Sequence, residues 1–411
     1  SGSIMKINSN NIAINKYWEL KYSINNKRNQ INKKELPEYI DTRLKQTIES
    51  HLVSDVPIGL TLSSGLDSII LLKYLIENND IGKLNTFTYG YDEKKYDESL
   101  KLEKIYKRNE FIPHITKLKK NELLNELSEA INYFQSPIGG LGTLSLFNLM
   151  KSIKKQKIKV IFSGEGADEI FAGYKYYFYA FLIDLKNSNN SNQLKEELRN
   201  WKILTGEDLS EIINNNKKMS EKIFGMKAPD GTNLNSWELE GEEIKNINTI
   251  NNLAKISSNS ENLNNIRYED IFIKKLPKLL MFQDRCSMYS SVESRVPFLD
   301  HELVEDIFSL DSSNLINGGI LKYLLRQNIE SSKFNENINT QKEFVATPQR
   351  EWIKRDLFNE IFEIIMNSNL QELGLVNLKK FKSKYIEYKN SQELGNSFFV
   401  WKILNLKYMF D

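Results

Sequence analysis

The stretch LTLSSGLDSIILL, Leu60 to Leu72, limits what this chain can fold into more than any other. Two apolar runs that both belong in a core are parted by Ser63-Ser64-Gly65-Leu66-Asp67-Ser68, a knot of mostly small, polar residues. The first run, VPIGLTLS (Val56 to Ser63), is short and bounded by turn residues, as a buried strand is. The second, LDSIILLKYLIENN (Leu66 to Asn79), reads as a helix that closes on an Asn pair suited to a C-terminal stop. Strand, polar loop and helix follow one another within about two dozen residues.

The same alternation continues. A helix is expected over Lys33 to Val53, a strand over Lys83 to Tyr91, a helix near Asp97 to Lys107 and a strand over Glu110 to Thr116. Another helix covers Lys120 to Tyr133. The glycine-rich loop QSPIGGLGT (Gln135 to Thr143) then leads into a helix ending at Lys155. KIKVIFSGEGADEIFAGY (Lys157 to Tyr174) reads again as strand, loop and helix. Strands alternating with helices predict an α/β fold whose parallel sheet is flanked by helices through right-handed crossovers. From about Tyr176 onward the strand signals stop while helix signals persist. The expected organisation is a lead-in at 1–32, an α/β unit at 33–185 and a largely helical part at 186–411. Within the lead-in, residues 1–4 read as a tag remnant.

A chain of 411 residues is too long for one simple core. Its formal net charge of +2 is too near neutral to argue for a nucleic-acid or membrane-surface partner. No apolar run is long enough to span a bilayer, and no secretory leader is recognisable. The single cysteine, Cys286, rules out an internal disulfide and a Cys-based metal cluster, which suits a reducing cytoplasm. Cys286 itself lies on an expected helix between Arg285 and Ser287, where small buried filler is a better reading than nucleophile.

In an open parallel sheet, ligands bind outside the carboxyl ends of the strands. Two polar loops fall there: Ser63 to Ser68, and Ser163-Gly164-Glu165-Gly166-Ala167-Asp168-Glu169. Small residues at a helix N-terminus let an anion approach backbone N–H groups, and serine hydroxyls add donors. Asp67, with Asp168 as a second carboxylate, could hold a Mg²⁺ that draws in phosphate. Ser, Asp and Gly also cap helices, and capping alone would explain either loop singly. Two such loops on one expected sheet weaken that explanation. Neither the Gly-Lys-Ser/Thr phosphate loop nor Gly-x-Gly-x-x-Gly after a strand is present.

SDVPIGLTLSSGLDS (Ser54 to Ser68) resembles the pyrophosphate loop of the asparagine synthetase family, usually Ser-Gly-Gly-Leu-Asp-Ser. VIFSGEGADEIFAGY (Val160 to Tyr174) is similar to that family's second signature, and LPKLLMFQDRCSMYSSVESRVPFLDHELVE (Leu276 to Glu305) to its third. KYW (Lys16 to Trp18), KYLLRQ (Lys322 to Gln327) and QKEFVATPQREW (Gln341 to Trp352) fit in the same order, and the likeness is weak from about Lys186 to Asn264. The resemblance implies an adenine nucleotide alpha-hydrolase-like fold and an ATP- and Mg²⁺-dependent ligase. Such an enzyme activates a carboxylate as an acyl-adenylate, releases pyrophosphate and passes the acyl group to ammonia or another amine. It also implies roles. Ser63, Ser64, Gly65, Asp67 and Ser68 cradle pyrophosphate; Ser163, Gly164 and Gly166 contact the nucleotide; Asp67 and Asp168 carry the metal. Glu165 deprotonates the amine, and Lys342 steadies the adenylating transition state. Glu165 as a first-turn carboxylate and Lys342 paired with Glu343 are the plainer structural alternatives. Arg285 and Arg295 read as structural ion-pair partners, and Asp300 with His301 as a helix cap.

Three departures from the family pattern bear on function. The glutaminase half is missing, so ammonia would come free, from another amine donor or from a separate glutaminase, unless that half was trimmed away. Ser64 stands where Gly is usual. In the substrate loop, Gln135 and Ser136 replace acids, Gly139, Gly140 and Gly142 open the chain before Thr143, and the arginine that would grip an aspartate α-carboxylate is missing. A buried charge needs such a partner, so the expected substrate is a larger carboxylate, small-molecule or peptide, and not free aspartate. A stand-alone aspartate-to-asparagine ligase and a catalytically silent nucleotide- or partner-binding protein are the alternatives.

Overall fold

The computed structural model describes residues 2–9, 11–20, 34–78, 83–108, 110–215, 218–219, 223, 263–330, 332, 334 and 346–410. An antiparallel hairpin, β1 (Ser3–Asn8) and β2 (Asn11–Lys16), precedes the main fold. The central sheet has five strands: β3 (Ile58–Thr61), β4 (Leu84–Gly90), β5 (Phe111–Lys117), β6 (Val160–Phe162) and β7 (Glu293–Arg295). Their order is β5-β4-β3-β6-β7, and every neighbouring pair is parallel.

Helices cover both faces. In the α/β half they are α1 (Leu36–Ser50), α2 (Leu66–Glu77), α3 (Leu123–Phe134), α4 (Leu141–Lys155) and the short α5 (Ala167–Ile170). Then come α6 (Lys175–Asn187), α7 (Ser191–Thr205), α8 (Leu263–Glu269), α9 (Leu276–Tyr289), α10 (His301–Phe308) and α11 (Tyr323–Glu330). The chain ends in α12 (Phe358–Met366), α13 (Leu378–Asn390) and α14 (Phe398–Phe410). The period of two along β6 sorts the core into two layers. Val160 and Phe162 join Leu44 of α1, Ile70 of α2, Phe178 of α6 and Leu325 of α11. Ile161 joins Leu127 of α3, Phe147 of α4, Ile361 of α12 and Trp401 of α14. In α3 the buried positions Leu123, Leu127, Ile131 and Phe134 recur at helical spacing, which is why this segment lies on the sheet.

The expected helices and strands between Lys33 and Tyr174 are present, with one difference inside that range and another beyond it. The helix expected near Asp97 to Lys107 is broken into two turns, Glu98–Lys101 and Glu103–Tyr106. The first is anchored by buried Asp97, whose carboxylate accepts from Ser99 N and pairs with Lys117 Nζ at 2.7 Å. The strand reading also stops too early, because β7 lies more than a hundred residues past Tyr176. Glu293-Ser294-Arg295 has no apolar alternation to announce it; pairing with the free edge of β6 makes it a strand. Among the described residues, no helix is long and apolar enough to cross a membrane.

The order of the sheet decides where a ligand can sit. From β3 the chain proceeds outward through β4 and β5, then returns to add β6 and β7 on the other side. The reversal falls between β3 and β6, so the crevice outside their carboxyl ends is the topological switch point. Both polar loops leave from that edge.

The helical layer also contains a carboxylate that works against stability. Asp184 of α6 accepts from Leu263 N at 3.0 Å, and burial raises its pKa from 3.8 to about 6. A raised carboxyl means that ionisation is disfavoured in the fold, so the penalty is absent at low pH and complete above about 6. Asp184→Asn keeps an acceptor for Leu263. It is expected to gain about 1–2 kcal/mol at pH 7 and almost nothing near pH 4, read from urea unfolding at the two pH values.

Candidate functional site

The loop after β3 is preorganised by its own serines. Ser68 Oγ donates to Ser63 O (2.8 Å) and accepts from Ser63 N (3.1 Å), while Ser63 Oγ accepts from Gly65 N (3.2 Å). These bonds fix the turn but do not cap α2: Gly65 stands at the N-cap without a side-chain bond to the first turn. The helix therefore presents its positive end to the crevice. Thr88 Oγ1 donates to Leu62 O at 2.7 Å and ties the start of the loop to β4. Ser64 lies outside the left-handed region, so serine is not strained in this position. Its Oγ (2.8 Å) and N (3.2 Å) both donate to Glu98 Oε2, anchoring the loop to the helical turn after β4.

The loop after β6 packs directly on the first. A Cβ on Gly164 would lie 2.9 Å from Asp67 Cβ. Between the loops sits a cation without a role in the sequence reading. Lys322 Nζ is 2.5 Å from Asp67 Oδ1 and 2.7 Å from Asp168 Oδ1, and its side chain is only 7% exposed. Burial alone would push the ammonium pKa down. The Asp168 and Asp67 carboxylates outweigh that and hold it above the ordinary lysine value, so Lys322 is charged. Gly173 makes the room: a Cβ there would come within 2.0 Å of Asp168 Oδ1 and 2.2 Å of Lys322 Cε.

These elements enclose a cavity of about 280 Å³. One wall is polar, with both loops, Glu98, Lys322 and Arg326; another is apolar, with Phe87, Tyr89, Leu146 and Leu149. Arg326 follows Lys322 by one helical turn; burial lowers its pKa and the nearby Asp67 opposes the shift. Also on the lining, buried Glu169 accepts from Tyr174 Oη at 2.7 Å. Burial, together with the Asp168 charge, raises the Glu169 pKa.

Ser63, Ser64, Gly65, Asp67, Ser68, Ser163, Gly164, Glu165, Gly166 and Asp168 all line this cavity. Lys342 lies outside the described residues, as do residues 341–345 as a group. Gln135, Ser136, Gly139, Gly140 and Thr143 are not among the lining residues. They are held instead by contacts with α9, residue 349 and α14. Gln135 is exposed, with φ of 49° at the end of α3. Arg285 donates to Phe134 O and to Ser136 Oγ (3.1 Å). Trp401 Nε1 donates to Gly139 O at 2.8 Å, and Leu141 N donates to Gln349 Oε1 at 2.6 Å. A Cβ on Gly140 would meet Gln349 Oε1 at 2.7 Å, so that glycine makes space for a neighbour and does not widen the loop.

The structural readings also find their places. Arg295 pairs with Glu293 at 2.7 Å and donates to the carbonyls of His51 and Val53, whereas Arg285 serves backbone and Ser136 and makes no ion pair among the described residues. Asp300 caps α10 through Glu302 N and Leu303 N. Cys286 is fully buried, and burial pushes its thiol up to about 12, which removes it as a nucleophile.

Lys322 and Arg326 had a faint signal in KYLLRQ, a basic pair at helical i, i+4 spacing that reads equally well as a solvated face. Only the fold reveals that it turns inward. The carboxylates of Asp67 and Asp168 converge on one point. Two hard oxygen donors are the share a protein usually contributes to a Mg²⁺ whose other ligands are phosphate and water. Among the described residues, no group of three His, Cys, Asp or Glu side chains could hold a metal without such help.

The family model for asparagine synthase matches residues 39–410. The chain belongs to the asparagine synthase family. It is 25% identical over 395 residues to the glutamine-hydrolysing asparagine synthetase 1 of Bacillus subtilis (strain 168), covering 93% of this chain and 60% of that relative. It is 23% identical over 401 residues to amidase chyE of Penicillium rubens, covering 88% and 59%. A putative glutamine-hydrolysing asparagine synthetase of Mycobacterium bovis is 24% identical over 382 residues, covering 86% and 55%. The chain thus spans about three fifths of the length of the curated relatives it matches.

Lys322→Met keeps the aliphatic stem but leaves two carboxylates facing each other. It is expected to cost about 3 kcal/mol, seen as a lower urea midpoint with an unchanged slope. A loss below about 1 kcal/mol would mean that solvent already satisfies Asp67 and Asp168.

Proposed function

We propose that this family member is an ATP-dependent amide-forming ligase that works through an acyl-adenylate and acts on a carboxylate other than free aspartate. The observation that carries the reading is the charge arrangement at the switch point. Two cations, Lys322 and Arg326, line one cavity with the uncapped N-terminus of α2, and Asp67 and Asp168 pair with Lys322 there. Such a site suits a polyphosphate approached by cations from one side and backbone N–H groups from the other. The apolar wall of Phe87, Leu146 and Leu149 suits the flat face of a nucleotide base.

In the reaction, a substrate carboxylate oxygen attacks the α-phosphorus of ATP, and the bond to the β-phosphate oxygen breaks to release pyrophosphate. Ammonia or another amine then attacks the acyl carbon, and AMP leaves with the electron pair of the acyl–oxygen bond. Ser63, Ser64, Gly65 and Ser68 hold the departing pyrophosphate, and Lys322 and Arg326 offset its growing charge. Ser163, Gly164 and Gly166 border the nucleotide. Glu165, on the cavity wall, takes the proton that the attacking amine gives up. Mg²⁺ would be held by Asp67 and Asp168 and would supply positive charge to the leaving phosphates. Lys342 is assigned, on resemblance alone, to the same pyrophosphate.

The substrate assignment rests on the 135–143 segment. Gln135 and Ser136 carry no charge, and the nearby guanidinium of Arg285 is committed to Phe134 O and Ser136 Oγ. A substrate α-carboxylate would have to break those bonds to gain a partner. Ammonia could arrive free or from a glutaminase, since two of the three relatives described above are named as glutamine-hydrolysing, one of them as putative.

The test is incubation with ATP, Mg²⁺, ammonium and a panel of carboxylic acids, following AMP and pyrophosphate. Both products are expected in equal amounts with at least one acid. ADP and phosphate would contradict the mechanism, and aspartate as the best acid would contradict the substrate assignment. Asp67→Asn is expected to lower turnover at least about 100-fold; full activity would remove Asp67 from the site.

A further inference from the structure

Lys322 reaches the two carboxylates from a strained backbone. Its own φ is +52°, a left-handed conformation that is costly for a residue with a side chain. Just before it runs a tight turn closed by Asn317 N to Ile320 O (3.2 Å) and Ile320 N to Asn317 O (3.0 Å). Gly318 and Gly319 within that turn have φ of +61° and +74°. The two glycines adopt such angles freely, but Lys322 does not, and its conformation persists only where neighbours over-determine it.

The neighbour is α7. Glu197 Oε1 accepts from Gly318 N at 2.9 Å, and Glu197 Oε2 accepts from Gly319 N at 2.7 Å. From the same helix the backbone of Trp201 closes on the turn: a Cβ on Gly319 would lie 2.9 Å from Trp201 N. Trp201 is in turn stacked on Phe178 of α6, with ring centroids 4.0 Å apart. Glu197 is 2% exposed, and no cation pairs with it among the described residues. Burial raises its pKa, and only the two glycine N–H groups oppose the shift. A buried carboxylate without a counter-ion is an expensive choice if the turn needed only to be covered. A carboxylate does, however, offer two oxygens to two adjacent N–H groups at once, with charge-assisted strength.

We propose that Glu197 is a positioning residue for Lys322. By clamping Gly318 and Gly319, it sets the left-handed backbone from which the ammonium enters between Asp67 and Asp168. Glu197 lies in the stretch where the likeness to the family signatures is weak, so no signature accounts for it. The functional consequence rests on the reading of Lys322 as a phosphate-side cation, whereas the structural coupling does not.

The test separates the two. Lysines of the wild type, Glu197→Gln and Glu197→Ala are reductively methylated and mapped by mass spectrometry. In the wild type, Lys322 and the equally buried Lys354 both react slowly, at 5% and 2% exposure. In Glu197→Ala, Lys322 is expected to react at least about tenfold faster while Lys354 keeps its rate, because only the turn has loosened. Glu197→Gln, which keeps one acceptor, is expected to fall between. If Glu197→Ala does not fold, the comparison is made on Glu197→Gln alone. Unchanged Lys322 labelling in a folded variant, or equal acceleration of Lys322 and Lys354, overturns the proposal. In parallel, the variants are expected to raise the KM for ATP about tenfold more than they lower kcat. A wild type without ligase activity counts against the functional reading and leaves the labelling result standing. Normal labelling contrast with unchanged KM leaves the coupling in place and removes its bearing on ATP.

Discussion

One ammonium group holds the site together. Lys322 lies between carboxylates from the first helical turns of two separate strand–loop–helix units. Removed from water, two carboxylates this close would raise each other's pKa and push the loops apart. With Lys322 between them they converge, and the loops can approach until Gly164 touches Asp67. On the proposed function, the same positive charge would also meet a polyphosphate at the N-terminus of α2, and binding of a metal or phosphate would redistribute contacts that already exist.

The rest of the fold delivers that contact. The sheet reverses direction between β3 and β6, which places both loops side by side. The switch point by itself supplies no cation. Lys322 comes from far down the chain, on a turn braced against α7, and α9 and α14 hold the neighbouring 135–143 segment. The helical second half is therefore the part that converts two polar loops into a charged cavity. The glycines of the 135–143 segment fit this picture, since Gly140 yields to Gln349 and Phe398 from that second half.

What could be read in advance follows the range of the interactions. The loops at Ser63 to Ser68 and Ser163 to Glu169 are legible because a polar knot between apolar runs is a local pattern, and the helices around them carry local periodicity. Ser64 is legible as a departure, but not in its consequence: the hydroxyl finds Glu98 across the crevice, and the backbone needs no left-handed angle there. β7 is invisible because three polar residues become a strand only through a partner edge. Lys322 is only faintly legible as a site residue for a similar reason. KYLLRQ looks like an amphipathic surface turn until the fold buries Lys322 and half-buries Arg326. Arg285 illustrates the same limit, since it was expected in an ion pair and instead serves a carbonyl and a hydroxyl on the neighbouring segment.

Whether Lys322 joins the two loops into a pyrophosphate site can be read by titrating inorganic pyrophosphate into the wild type and Lys322→Met by calorimetry, at fixed Mg²⁺ and salt. This requires no knowledge of the carboxylate substrate. The account predicts saturable 1:1 binding to the wild type, weakened at least about tenfold in the folded variant by loss of a charged contact. Equal affinity in the two proteins would contradict it.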